Sequence, residues 1–144
     1  MSTKTTNSHE ISIVKTPAVA LKILEDVSSD DEEDEVEDNV GRFVWPTAVP
    51  MIRHMMSSKI IDDGSSLIVE LGAGCGVLGM GLAAAAASTA AEETSDSGRD
   101  GSNQSSNQKL HIILTDHDNE WLQRNVALNE TLILETSPAA TMEV

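Results

Sequence analysis

Apolar and polar residues alternate on both sides of a Lys-Thr-Pro turn at residues 15–17. Alternation with a period of two around a proline predicts two short strands joined by that turn. Residues 1–10 are polar and carry no such pattern, so we expect them to be disordered. The apolar positions of the two predicted strands are Ile11, Ile13, Val19, Leu21 and Ile23.

Beyond residue 40, apolar runs typical of buried strands alternate with apolar residues at helical spacing. We predict helices over 46–56, 77–91 and 119–129, strands over 66–70 and 110–114, and a further strand over 141–144. This alternation predicts an α/β fold with a Rossmann-like parallel sheet. In the last helix we expect Trp121, Leu122, Val126 and Leu128 to pack into the core.

Two low-complexity segments divide the chain. Eight of the nine residues in Asp30–Asp38 are acidic, which predicts a solvated, disordered linker at the end of an N-terminal region, 1–40. Residues 88–109 are rich in Ser, Asn, Gln and Gly, and we expect them to form a disordered insertion that begins where the second helix ends. The α/β domain, including this insertion, is predicted to occupy residues 41–144.

The chain is strongly acidic, with a formal net charge of −15. An acidic chain does not attract phosphate backbones, so nucleic acid is disfavoured as a partner and a basic protein substrate is favoured. The single cysteine, Cys75, excludes an internal disulfide and, with scattered histidines, predicts no metal site. Neither a signal peptide nor a membrane-spanning run is predicted, which favours an intracellular protein, cytoplasmic or nuclear. Nothing in the pattern indicates an oligomeric state.

A glycine-rich loop at residues 72–79 follows the strand over 66–70 and leads into an alanine-rich helix. Glycines let the backbone turn sharply and approach a ligand closely, and the helix start presents free N–H groups at the same point. Residues 74–79 fit the Gly-x-Gly-x-x-Gly pattern of dinucleotide sites. Glu70, at the end of the strand, would repel a pyrophosphate but suits a cation. The loop therefore favours S-adenosylmethionine over NAD, with a solvent-facing Glu70 as the alternative.

A second carboxylate, Asp116, follows the strand over 110–114. Sites of this kind place an acid on the ribose hydroxyls about 20 residues beyond the loop. Asp116 lies 46 residues after Glu70, and removing the 22-residue insertion leaves 24, close to that spacing. We therefore expect Asp116 to bind a ribose, with a turn or N-cap role before the next helix as the alternative.

Three segments carry a resemblance to a known family: Gly-Arg-Phe-Val-Trp-Pro at 41–46, Val-Glu-Leu-Gly-Ala-Gly-Cys-Gly-Val-Leu-Gly at 69–79, and Leu-Thr-Asp at 114–116 followed by Arg-Asn-Val-Ala-Leu-Asn at 124–129. Together they resemble the seven-β-strand methyltransferases, specifically the methyltransferase-like protein-lysine methyltransferases. The resemblance implies a class I methyltransferase fold and S-adenosyl-L-methionine as cofactor. It assigns cofactor binding to Trp45, Gly72, Ala73, Gly74 and Asp116, alongside Glu70 from the electrostatics. Trp45 could equally anchor its helix in the core.

The chain departs from the family in having two clear strands and a third where about seven are needed. Only 28 residues follow Asp116, and no counterpart of the family's Asp-x-x-Tyr type motif is present. We expect a fold truncated after about strand 3, from a shortened protein or an incomplete gene model, and we assign no catalytic residue. Two alternatives to a lysine methyltransferase stay open: a non-catalytic acidic interaction protein with a partial cofactor fold, and a dinucleotide-binding oxidoreductase.

Overall fold

The structure is a computed structural model that describes residues 5–15, 18–27, 39–58, 66–92, 109–138 and 140–144. Two strands form a hairpin, and three more alternate with helices. In chain order the elements are β1 (Thr5–Lys15), β2 (Ala18–Val27), a 3₁₀ helix (Asn39–Arg42), α1 (Ala48–Ser57), β3 (Ser66–Leu71), α2 (Val77–Glu92), β4 (Leu110–Thr115), α3 (Asn119–Thr136) and β5 (Ala140–Glu143). The predicted acidic linker at 28–38 and most of the predicted insertion, residues 93–108, lie outside these ranges, and the boundary at residue 40 stays a prediction.

The three later strands form a parallel sheet in the order β3-β4-β5. Ser66 pairs with Leu110 and Leu71 with Thr115, so the carboxyl ends of β3 and β4 lie side by side. Glu70 and Asp116, which come from these two strand ends, are thereby brought to one edge of the sheet. The predicted α/β architecture with a parallel sheet is confirmed.

Helix α2 lies between the parallel sheet and the hairpin. Its Gly79 faces Leu114 and Ile112 of β4, whereas its Gly81 faces Ile52 of α1 and Ile13 of β1. A helix enclosed on opposite sides needs apolar residues around its whole circumference. The sequence supplies them, since Val77, Met80, Leu82, Ala83, Ala84 and Ala85 are all buried.

The N-terminal hairpin is longer than the sequence pattern indicated. β1 and β2 pair antiparallel from Thr5 with Val27 to Lys15 with Ala18, with an irregularity between Ser12 and Val14. The prediction that residues 1–10 are disordered is therefore wrong from Thr5 onward. The polar start of β1 escaped the pattern because it is stabilised by pairing along β2 rather than by burial.

Helix α3 runs to Thr136, seven residues beyond its predicted end at residue 129. Trp121 and Leu122 are buried and Val126 is half-buried, as predicted, but Leu128 is 46% exposed, so its assignment to the core is wrong. The buried face continues instead through Asn125, Asn129 and Ile133. Because two of the residues on that face are asparagines, the hydrophobic pattern did not identify it as the buried face.

One face of β3 is open among the described residues. Leu67, Val69 and Leu71 alternate with half-buried partners and are 63%, 52% and 80% exposed. Parallel sheets are normally covered on both faces, so this is an exposed apolar surface of the described part of the chain. None of the helices that the structure describes is long and apolar enough to cross a membrane.

The close packing of α2 on the sheet predicts that Gly79→Ala destabilises the protein. An added Cβ would lie 2.3 Å from Leu114 Cδ2 and 2.9 Å from Glu70 Oε2. Overpacking a core costs roughly 1–3 kcal/mol, which outweighs the roughly 1 kcal/mol that alanine gains over glycine in a helix. We expect the free energy of unfolding in urea to fall.

The control is Ala127→Gly on the exposed face of α3, which measures helix propensity without a packing change. It should cost about 1 kcal/mol. A Gly79→Ala variant that gains stability by a similar amount would show that the α2–β4 contact is not tight.

Candidate cofactor site

The turn between β3 and α2 depends on glycines at alternate positions. Gly72, Gly74 and Gly76 have φ values of 66°, 56° and 76°, a region that other residues adopt only with strain. At Gly74 a Cβ would also lie 2.8 Å from the backbone oxygen of Gly41. Nothing lies within 4 Å of a Cβ placed at Gly72. The loop is therefore packed at Gly74 and open to a ligand at Gly72.

Glu70 faces the start of α2 rather than solvent. Its Oε2 accepts a hydrogen bond of 2.9 Å from the backbone N–H of Gly79, the third residue of the helix. The carboxylate thereby satisfies one of the free N–H groups at the helix start and lies at the positive end of the helix dipole. Burial, with a smaller contribution from the nearby Asp116, raises the pKa of Glu70 from 4.5 to about 7 against the lowering effect of the Gly79 N–H.

Asp116 ties the glycine loop to the end of β4. Its Oδ2 accepts from the N–H of Gly74 at 2.7 Å, and its Oδ1 accepts from the N–H of Asp118 at 2.9 Å. The neighbouring Thr115 adds two bonds, since its carbonyl accepts from Ala73 N–H and its hydroxyl donates to the carbonyl of Glu70. Asp116 thus has a turn role, while Asp118, whose side chain accepts from Trp121 N–H, is the N-cap of α3.

A pocket of about 140 Å³ lies beside the loop. One wall is the loop with the start of α2, and the other is the segment from Phe43 to Met51. Three of its large apolar side chains are well exposed: Trp45 (57%), Met51 (47%) and Phe43 (41%). The lining residues are Phe43, Val44, Trp45, Thr47, Ala48, Met51, Glu70, Gly72, Ala73, Cys75, Val77 and Leu78.

Among these lining residues, Glu70 is the one carboxylate. The remaining ionisable group, the Cys75 thiol, is buried, and its burial raises its pKa to about 11. A thiol with so high a pKa is protonated at neutral pH and is a poor nucleophile. The pocket is therefore an apolar and aromatic cleft with a single carboxylate.

Arg42 holds the segment that carries the aromatic wall. Its guanidinium forms ion pairs with Asp118 at 2.7 Å and with Asp26 of β2 at 3.2 Å, and it lies 5.2 Å from the centre of the Trp121 ring. The hydrogen bond to Asp118 raises the pKa of Arg42 despite its burial. Burial acts to raise the pKa of Asp118, but the hydrogen bonds from Arg42 and from the N–H of Trp121, together with the positive charge of Arg42, leave that pKa lowered.

A family model described as lysine methyltransferase matches residues 25–143, from the end of β2 through β5. The chain belongs to the lysine methyltransferase family. A comparison with curated proteins gave no match. The family match confirms the resemblance predicted from the three sequence segments, and the parallel sheet agrees with a Rossmann-like methyltransferase fold.

The fold brings four of the six residues predicted to bind cofactor to the pocket: Trp45, Glu70, Gly72 and Ala73. The other two, Gly74 and Asp116, do not line it and instead bond to each other within the loop. Trp45 is too exposed to be a core anchor, which removes that alternative. The binding roles of all six stay predictions.

Four charged residues that support the site were not predicted from the sequence: Glu25, Asp26, Arg42 and Asp118. Glu25 accepts a hydrogen bond from the N–H of Val44, and the other three form the Arg42 ion-pair cluster. Arg42 lies within the 41–46 segment and Asp118 directly precedes the predicted helix over 119–129, but Arg42 is 16 residues from Asp26 and 76 residues from Asp118 along the chain. Hydrophobic periodicity gives no information on such long-range polar pairs.

The raised pKa of Glu70 predicts a pH-dependent effect of Glu70→Gln on stability. Glutamine keeps an oxygen that accepts from Gly79 N–H but never carries a charge. In the wild type the folded state holds the Glu70 proton up to about pH 7, whereas the unfolded state loses it near 4.5. Wild-type stability therefore falls as pH rises between these two values.

We expect the two proteins to unfold at similar urea concentrations at pH 5. At pH 8 the variant should be more stable by on the order of 1–3 kcal/mol. A stability difference that does not change between pH 5 and pH 8 would contradict the buried position of this carboxylate.

Proposed function

We propose that this lysine methyltransferase uses S-adenosylmethionine to methylate lysine side chains of other proteins. The observation that carries the proposal is the pocket at the glycine loop, in which an apolar and aromatic lining surrounds one carboxylate, Glu70. When bound, S-adenosylmethionine supplies a methyl group on a positively charged sulfur. A cation with an adenosine moiety matches both the charge and the aromatic wall of this pocket.

The residues present fit such a cofactor. The open backbone at Gly72 allows close approach, Trp45 and Phe43 offer exposed rings, and Glu70 offers a negative charge. Asp116 uses two of its acceptor positions on the N–H groups of Gly74 and Asp118. A carboxylate has about four acceptor positions, so Asp116 can also accept from a ribose hydroxyl.

A dinucleotide fits less well. In dinucleotide sites the pyrophosphate occupies the start of the helix after the glycine loop. Here Glu70 already accepts the N–H of Gly79 at that place. A pyrophosphate would meet a carboxylate in a half-buried setting, where like charges repel strongly. This arrangement supports a methyltransferase cofactor over a nicotinamide one.

The described residues form one side of the proposed site. The 140 Å³ pocket is smaller than the roughly 300–1,000 Å³ typical of pockets for ligands of cofactor size. A lysine substrate must present a neutral amine to attack the methyl carbon, and we assign no described residue as its base. The net charge of −15 favours lysine-rich substrates by long-range attraction.

Cofactor identity is tested by calorimetric titration with S-adenosylhomocysteine and, separately, NADH. We expect the first to bind and the second not to. Trp45→Ala should weaken S-adenosylhomocysteine binding by about tenfold, as expected for loss of one aromatic contact of about 1.4 kcal/mol. Leu134→Ala removes an apolar side chain of similar exposure (55%) on α3 and serves as the control. Binding of NADH instead, or equal effects of the two substitutions, would contradict the proposal.

Activity is tested with S-adenosylmethionine carrying a labelled methyl group and a set of lysine-rich peptides. Matched peptides with arginine in place of lysine keep the charge and remove the acceptor amine. Label on the lysine peptides alone is the expected result. Cofactor binding without transfer to any lysine peptide would favour the non-catalytic interaction protein.

A further inference from the structure

The buried face of α3 carries two asparagines that bond to the backbone of β2. Asn125 Oδ1 accepts from Leu24 N–H at 2.7 Å, and its amide group donates to Leu24 O at 3.3 Å. Asn129 repeats this with Lys22, at 2.8 Å for both bonds. Each amide therefore satisfies both backbone groups of one strand residue, as a neighbouring strand would.

Spacing explains why two asparagines achieve this. Positions four apart on a helix lie one above the other, and positions two apart on a strand point their backbone groups to the same side. Asn129 also donates to the carbonyl of Asn125, so the pair is linked. Both asparagines are at most 1% exposed, where an unmade hydrogen bond is costly. The edge of β2 is thereby fixed against α3.

The strand fixed in this way bears directly on the pocket wall. Glu25, the residue after Leu24, accepts the N–H of Val44, and Asp26 pairs with Arg42. The Cys75 thiol of the glycine loop is directed at Leu24 O, at 3.6 Å. Val44, Trp45 and Cys75 all line the pocket. A continuous set of bonds therefore runs from α3 through β2 to both walls of the pocket.

We propose that Asn125 and Asn129 are positioning residues for the cofactor pocket, which they act on through β2 and the Phe43–Trp45 segment. The identity of the ligand in this inference rests on the proposed function, whereas the link from the two asparagines through β2 to the pocket does not. It gives a role to the two asparagines of the Arg-Asn-Val-Ala-Leu-Asn segment, neither of which lines the pocket itself.

Asn125→Asp is the sharpest test, because the carboxylate has the same shape but cannot donate to Leu24 O. Gln123→Glu makes the same amide-to-carboxylate change on the exposed face of α3 and is the matched control. Three quantities are measured in each folded protein: hydrogen exchange at Leu24 N–H, the ¹⁹F resonance of 5-fluorotryptophan at Trp45, and affinity for S-adenosylhomocysteine. The Trp45 resonance is assigned with Trp45→Phe.

For Asn125→Asp we expect faster exchange at Leu24, a shifted Trp45 resonance, and binding about tenfold weaker, the equivalent of one buried hydrogen bond. The control should change none of the three. Faster exchange at Leu24 with an unmoved Trp45 resonance and unchanged affinity would reduce Asn125 to a structural role and overturn the inference. If Asn125→Asp fails to fold, the milder Asn129→Ser should show the same changes, and their absence there would overturn the inference equally.

The two proposals fail differently. Wild-type protein that does not bind S-adenosylhomocysteine overturns the proposed function, and the Trp45 resonance of the variants then decides the positioning role alone. Wild-type protein that binds, with variants whose Trp45 resonance and affinity match it, overturns the positioning role alone.

Discussion

Two carboxylates from adjacent strand ends hold the backbone of the glycine loop, and the rest of the site depends on them. Asp116 accepts the N–H of Gly74, and Glu70 accepts the N–H of Gly79. The loop has three glycines at positive φ; the N–H of Gly76 bonds to the carbonyl of Ala73 within the loop, whereas the N–H groups of Gly74 and Gly79 depend on the two carboxylates. Because β3 and β4 run parallel and in register, both acids reach the loop from one edge of the sheet. The fold thus places negative charge at the point where a helix start would otherwise attract an anion.

Burying the Glu70 carboxylate, with Asp116 nearby, has a cost, seen in the raised pKa of Glu70. A bound cation would relieve that cost, whereas a phosphate would increase it. The buried Glu70 carboxylate, whose ionisation makes the free protein less stable above neutral pH, therefore favours a positively charged ligand. The lysine methyltransferase family match is in agreement with a positively charged cofactor.

Local sequence patterns predicted the elements that form the sheet and the loop, because strands, helices and glycine turns are set by neighbouring residues. These patterns, the charge of Glu70 and the family resemblance together predicted four residues that line the pocket, of which Trp45, Gly72 and Ala73 came from the resemblance. They failed where polar groups are buried by distant partners. In the sequence pattern, Asn125 and Asn129 are typical of solvent-facing positions, and their burial depends on hydrogen bonds to β2. Leu128 was predicted to be buried, but it is exposed. The structural role of Arg42 likewise depends on its ion pairs with Asp26 and Asp118, which are distant in sequence.

The central claim is that Glu70 forms the anionic part of a site for a cationic cofactor. The most direct measurement is an NMR titration of the Glu70 side-chain carboxyl carbon, in the free protein and with saturating S-adenosylmethionine. The free protein should give a pKa of about 7, and the bound cation should lower it, because an opposite charge favours the ionised carboxylate. A Glu70 pKa near 4.5 in the free protein, or one that does not fall on adding the cofactor, would contradict the claim.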